Sequence, residues 1–142
     1  MQLTFAMIKP DAVERRVCGK IIDLIEQHGF EILQINKSVL PKALVEAFYD
    51  IHRERPFFKE MVDNITAGPV ITLILKKENA VADWRTLMGA TNPAAAEPGT
   101  VRALYGVDIS KNAAHGSDSI ENGIREIGLM FPSYINSLLK TI

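Results

Sequence analysis

The stretch that most limits how this chain can fold is Val70-Ile71-Thr72-Leu73-Ile74-Leu75, apolar at five of six positions and rich in branched side chains. Such a run suits a central strand covered on at least one face and, by its composition, on both. Leu3 to Ile8 is a second short apolar run, closed by Lys9-Pro10 and too brief for a helix. Phe30 to Leu40 reads as a third strand, because Leu33, Ile35 and Val39 share one parity.

Helical spacing fills the intervals between these runs. Asp11 followed by Glu14 reads as a helix start; Val13, Val17, Ile21, Leu24 and His28 continue it, Gly19 weakens it and Gly29 ends it. Leu44, Phe48 and Ile51 mark the inner face of another helix, and Phe57, Met61, Val62 and Ile65 that of a short one before Gly68-Pro69. Asn79 is placed to cap a helix whose Val81, Trp84 and Met88 point inward and which stops at Gly89. Ser119 caps a last one, with Ile120, Ile124, Ile127 and Phe131 on one stripe and Pro132 as its stop. Residues 90–99 carry two prolines and no large apolar side chain, which makes them a surface loop. A fourth, short strand is expected near His115, although periodicity does not mark it. The order fits an α/β fold, a ferredoxin-like split βαβ sandwich with a four-stranded antiparallel sheet covered by helices on one face. Residues 1–142 make a single domain in this reading.

Composition removes several function classes. Cys18 stands alone, so neither an internal disulfide nor a cysteine zinc cage is available. Sixteen basic against 17 acidic side chains give a net charge of -1 and no global pull toward nucleic acid or acidic lipid. No apolar run approaches the roughly 20 residues of a membrane span, and Met1 to Pro10 lacks the features of a signal peptide, so a cytoplasmic location is expected. The nine glycines are spaced wrongly for a P-loop or a dinucleotide turn.

Chemistry concentrates in Asn112-Ala113-Ala114-His115-Gly116-Ser117-Asp118-Ser119, where small and polar groups surround one imidazole just before a helix start. Neutral imidazole is a good nucleophile near pH 7, Gly116 permits close approach, and a carboxylate such as Glu126 can orient the ring from the following helix. A helix-capping loop whose histidine only bonds locally fits the same residues equally well. Lys9, Arg55, Arg85, Thr91 and Arg102 fall outside the cores of the expected elements. Arginine forks fit phosphate oxygens, yet each of these side chains alone is equally a solvated surface group, and only convergence on His115 separates the two. Phe57, Phe58 and Met61 read as core packing or, where exposed, as a stacking surface for a base.

Asn112 to Asp118, with its His-Gly-Ser-Asp, is identical at its fixed positions to the active-site signature of the nucleoside diphosphate kinase family. From Leu3 to Phe131 the chain resembles that family. Lys9-Pro10-Asp11, Arg55-Pro56-Phe57-Phe58, Gly68-Pro69, Gly89-Ala90-Thr91-Asn92-Pro93 and Pro98-Gly99-Thr100-Val101-Arg102 carry the rest of the resemblance. It implies ping-pong transfer of a γ-phosphate from a nucleoside triphosphate to a nucleoside diphosphate through a phosphohistidine at His115. It further implies that Glu126 and Ser117 orient the ring and that Tyr49 and Lys9 lie near the transferred group. His52, Arg85, Thr91 and Arg102 would bind phosphates with Arg55 nearby. Lys9 and Asn112 would contact the ribose, Phe57 would stack on the base, and Met61 would pack beside it. Mg²⁺ would enter on the phosphates with no protein cage, base tolerance would be broad, and the chain would form a homo-oligomer, a tetramer or a hexamer. Met61 stands where leucine is frequent and Ala90 where glutamate is frequent. The tail from Pro132 to Ile142 departs from the segment that supports hexamers in eukaryotic members; Leu138, Leu139 and Ile142 would cover a neighbouring subunit or fold back.

Two other classes fit parts of the pattern. An RNA-binding module shares the expected fold, but Val70 to Lys76 has no aromatic residue and the net charge is slightly negative. A phosphohistidine protein that transfers to protein or water would not need Phe57, Lys9 and Asn112 in the roles the resemblance gives them.

Overall fold

The computed structural model describes the backbone of residues 1–140 and the side chains of residues 1–137. Four strands, β1 (Gln2–Ile8), β2 (Glu31–Ser38), β3 (Val70–Lys77) and β4 (Ala114–Gly116), form one sheet in the order β2-β3-β1-β4, with every neighbouring pair antiparallel. Eight helices accompany them among the described residues: α1 (Pro10–Glu14), α2 (Cys18–Gln27), α3 (Lys42–Phe48), α4 (Phe58–Thr66), α5 (Ala80–Met88), α6 (Val101–Tyr105), α7 (Ile120–Met130) and α8 (Pro132–Lys140).

The expected single helical layer is corrected: helices cover both faces. Successive side chains of a strand point opposite ways, and β1 sends Ala6 and Ile8 into one apolar cluster and Phe5 and Met7 into another. The first cluster takes Ile21 and Ile25 from α2 and Trp84 from α5; the second takes Phe48 from α3, Ile65 from α4 and Ile127 from α7. The continuous apolar character of β1 and β3 follows from this double cover.

Pro10 occupies the first turn of α1, where its missing N–H costs nothing. The single helix expected from Asp11 to His28 is broken, not at Gly19 but at Arg16, which takes φ +62° between α1 and α2. Asp11 does not cap its helix: Lys9 holds the N-cap position, and the Asp11 carboxylate, one residue inside the first turn, accepts a distant backbone N–H. In β2 an irregularity between Ile32 and Gln34 shifts the parity and leaves Ile35 exposed, while Val39, expected in the strand, lies past its end and is exposed too. Ile51 lies in a 3-10 turn, Asp50–His52, and is 80% exposed in place of joining the core. Asn79 stands at the start of α5 without a side-chain cap bond, whereas Ser119 does cap α7 by accepting the Asn122 N–H at 3.0 Å.

The stripe expected on α7 is rotated. Gly123, Glu126 and Ile127 face inward, leaving Ile120 and Ile124 51% and 43% exposed. Gly123 lets the helix lie close on β1, since a β-carbon there would come within 3.3 Å of the Leu3 carbonyl oxygen. That close seat carries Glu126 under the sheet edge. Pro132 ends α7 and also starts α8; the side chains of Leu138 and Leu139, and Ile142, lie outside the described residues.

Candidate active site

β4 is short, but its register against β1 is definite: Ala6 faces Gly116, Met7 faces His115 and Ile8 faces Ala114. His115 therefore shares the Met7 side of the sheet. Its ring stands edge-on to Phe48 and Tyr49, with centroids 5.0 and 6.0 Å away, and Phe5 lies at 6.1 Å. Behind the strand, the Trp84 indole Nε1–H donates to the His115 carbonyl at 3.2 Å. Gly116 must lack a side chain, because a β-carbon there would lie 2.6 Å from Trp84.

The imidazole remains 20% exposed and is held from one side. Nε2 lies 3.2 Å from Glu126 Oε1, and the same oxygen accepts the Ser117 hydroxyl at 2.7 Å. Ser117 Oγ in turn accepts the Phe5 N–H at 3.3 Å. A carboxylate only accepts, so this arrangement assigns the ring proton to Nε2 and leaves the Nδ1 lone pair open. Burial and the Glu126 charge push the Tyr49 phenol far above its usual range, so it stays a hydrogen-bond donor even well above neutral pH.

A cavity of about 560 Å³ reaches the ring, and Lys9, Tyr49, His52, Phe57, Met61, Thr91, Arg102 and Asn112 line it together with His115. Of the five side chains whose convergence on His115 separates a site from surface groups, Lys9, Thr91 and Arg102 line the cavity with it. Lys9 Nζ donates to Asn112 Oδ1 at 2.9 Å and to the Ser110 carbonyl at 3.1 Å. Burial lowers its pKa to about 8, with Arg102 adding to the fall and Asp11 and Asp108 opposing it. Asn112 Nδ2 donates to the Thr91 and Ile109 carbonyls, which ties the 90–99 loop to the segment that leads into β4. Arg102 donates to the Gly89 and Ala114 carbonyls, both at 2.9 Å, while its buried Nε–H has no partner. Burial and the neighbouring Arg85 charge lower its pKa to about 10.

Two groups of expected residues sit elsewhere. Glu126 and Ser117 stand behind the ring; Glu126 borders a second hollow of about 300 Å³, on whose wall His115 also stands. Arg55 and Arg85 are exposed and do not line the cavity; Arg85 reaches it only through its charge on Arg102. Sequence reasoning missed Glu60, Asn64, Ile109 and Ser110, which complete the wall. Phe57, Glu60, Met61 and Asn64 follow one helical face, so α4 held a legible signal for two of them. The bond from Ser110 Oγ to Glu60 Oε1 at 3.2 Å joins residues 50 positions apart and had no local signature.

The cavity wall is rich in N–H and O–H donors with Glu60 as its carboxylate, a donor set that fits a phosphorylated ligand and any cation that ligand brings with it. Among the described residues no three His, Cys, Asp or Glu side chains gather as a metal cage. No helix among them is long and apolar enough to cross a membrane.

A family model described as nucleoside diphosphate kinase matches residues 2–135. Relatives bearing that description include one from Pelobacter propionicus, 56% identical over 131 residues and covering 92% of this chain and 96% of its own, and one from Geobacter sp. (strain M21), 55% identical at the same coverage. Among solved structures, the nucleoside diphosphate kinase of Aquifex aeolicus aligns with TM-score 0.90 at 38% identity, over 92% of this chain and 94% of that one. The enzyme of Encephalitozoon cuniculi aligns with TM-score 0.89 at 40% identity, over 92% and 89%.

Proposed function

The chain belongs to the nucleoside diphosphate kinase family and is an enzyme of that class, and we propose that it works by ping-pong transfer through a phosphohistidine at His115. The observation that carries the proposal is the Glu126 bond to Nε2, which leaves Nδ1 as the free nitrogen in a cavity lined by cations. In the first half, Nδ1 attacks the γ-phosphorus of a bound triphosphate; the N–P bond forms, the bond to the bridging oxygen breaks, and the diphosphate leaves with that electron pair. Glu126 stabilises the positive charge that develops on the ring, and Ser117 keeps the carboxylate in place. In the second half, a terminal oxygen of an acceptor diphosphate attacks the same phosphorus and the lone pair returns to Nδ1.

A loose transition state spreads negative charge over the equatorial and leaving oxygens, so donors already fixed around it lower the barrier. Lys9, His52, Thr91 and Arg102 would serve the phosphates from the cavity wall, with Arg55 and Arg85 closing in from outside it and Tyr49 donating beside the ring. Lys9 and Asn112, already bonded to each other, would share the ribose hydroxyls. Mg²⁺, when bound through the nucleotide phosphates, offsets part of their charge; no residue of the chain is required to cage it. Phe57 and Met61 would offer the base a surface without hydrogen-bond readout, which supports broad base tolerance. A cytoplasmic location and a homo-oligomer, tetramer or hexamer, complete this reading; the exposed apolar side chains of Leu104 and Val107 support the latter.

Incubation with Mg-ATP should yield an acid-labile, base-stable phosphoenzyme that His115→Ala cannot form. The variant should also lose phosphate exchange between ATP and a panel of diphosphates by about 10⁴-fold or more. An undiminished phosphoenzyme in the variant would remove the nucleophile assignment, and a steep preference for one base would remove the generic platform.

A further inference from the structure

One backbone position beside the imidazole is held against its own preference. Ala113 has φ +77°, in the left-handed region that crowds a β-carbon, and it is fully buried. The corner between β1 and α1 takes both polar groups of its backbone. Its N–H donates to Asp11 Oδ2 at 3.0 Å, and its carbonyl accepts the Lys9 N–H at 2.9 Å. Asp11 and Ala113 are 102 positions apart, so the contact is a tertiary clamp and not a local turn. Asp11 sits in the first turn of α1, so the clamp ties that helix to the residue just before β4. β4 begins at the next residue, runs for only three, and pairs with β1. With the acceptor gone, the Ala113 N–H would be buried without a partner next to a disfavoured φ, and the cheapest relief is rotation of the peptide that leads into β4.

We propose that Asp11 is a positioning residue for phosphoryl transfer: its carboxylate locks Ala113 in the left-handed conformation and so fixes where β4 presents the His115 ring. The proposal rests on the reading of His115 as nucleophile, but the clamp itself has a readout that does not. Asp11 also opposes the loss of charge on Lys9, and Asp11→Asn separates the two effects, because an amide oxygen still accepts the Ala113 N–H without carrying charge.

The test compares full-length variants in phosphate exchange and in amide hydrogen exchange at Ala113. Asp11→Ala should lower kcat by about 10²-fold, the loss expected of roughly 1 Å of misplacement, with KM within about threefold of wild type. Asp11→Asn should stay within about fivefold in kcat, and Ala113→Gly, which adopts this φ freely, should restore Asp11→Ala by about tenfold. Ala113 should exchange slowly in wild type and Asp11→Asn and fast in Asp11→Ala. The proposal is overturned if Asp11→Asn is as slow an enzyme as Asp11→Ala, if Ala113→Gly gives no rescue, or if Asp11→Ala leaves kcat and exchange unchanged. Should Asp11→Ala fail to fold, Asp11→Asn decides: slow amide exchange with near-normal kcat supports the clamp, and any other result overturns it. A phosphoenzyme formed by His115→Ala would remove the nucleophile reading while the exchange contrast at Ala113 still tested the clamp.

Discussion

The two faces of the sheet are built from the same strands and end in different places. On one side, Ala6 and Ile8 meet Ile21, Ile25, Trp84, Leu73 and Leu75, hydrocarbon closing on hydrocarbon. On the other, Phe5 and Met7 meet Phe48 and Tyr49, and the aromatic edges continue past the core until they reach His115. Glu126 is buried on that side with a serine hydroxyl and an imidazole as its partners. The first face can be completed, and its side chains contribute stability. The second is left unfinished at β4, and the unfinished end is the proposed site. Neighbouring residues of one strand thus divide between holding the fold and holding the chemistry.

Trp84→Ala would break this comparison most directly. Removing a large, fully buried side chain should cost about 3–5 kcal/mol, read as a lower urea midpoint; a variant as stable as wild type would mean the first face is not the stabilising one. Glu126→Gln sharpens the other half. It should lower kcat by about 10²-fold while changing stability by less than about 1.5 kcal/mol, because the amide oxygen can still accept one of the two bonds. A stability loss equal to that of Trp84→Ala would erase the distinction between the faces.

Lys9 gives the smallest effect and a signed one. Its folded pKa of about 8 lies below the usual 10.5, so between these values the unfolded chain binds a proton the folded chain has released, and stability rises with pH. Nucleotide affinity runs the other way, since the free enzyme loses that charge above about pH 8, and KM should climb a few-fold. Lys9→Gln should remove both slopes; a KM flat from about pH 7 to about 10 in wild type would exclude Lys9 as a phosphate partner.

What the sequence made legible follows from range. Lys9-Pro10, Gly89 and Ser119 act through their own backbone or the next turn, and β1, α5 and α7 start or stop where those residues say. The Asn112 to Asp118 motif is likewise contiguous. Ile35, Ile51, Ile120 and Ile124 lie away from where periodicity puts them, because one parity shift, one 3-10 turn and one helix rotation decide their burial. The rotation of α7 is set by Gly123 meeting β1 and Glu126 meeting the ring, neither visible as periodicity. Glu60 with Ser110, and Asp11 with Ala113, are pairings across the chain that no local pattern encodes.

Trp84 is the chain's sole tryptophan, and its indole N–H ends on the carbonyl of the very residue proposed to carry the phosphoryl group. Its emission comes from a solvent-shielded indole one hydrogen bond behind that imidazole, with no second fluorophore of its kind to dilute the signal. If His115 takes up the phosphoryl group as proposed, each half of the exchange should change that emission, and a stopped-flow cuvette would read it without a dye or a label.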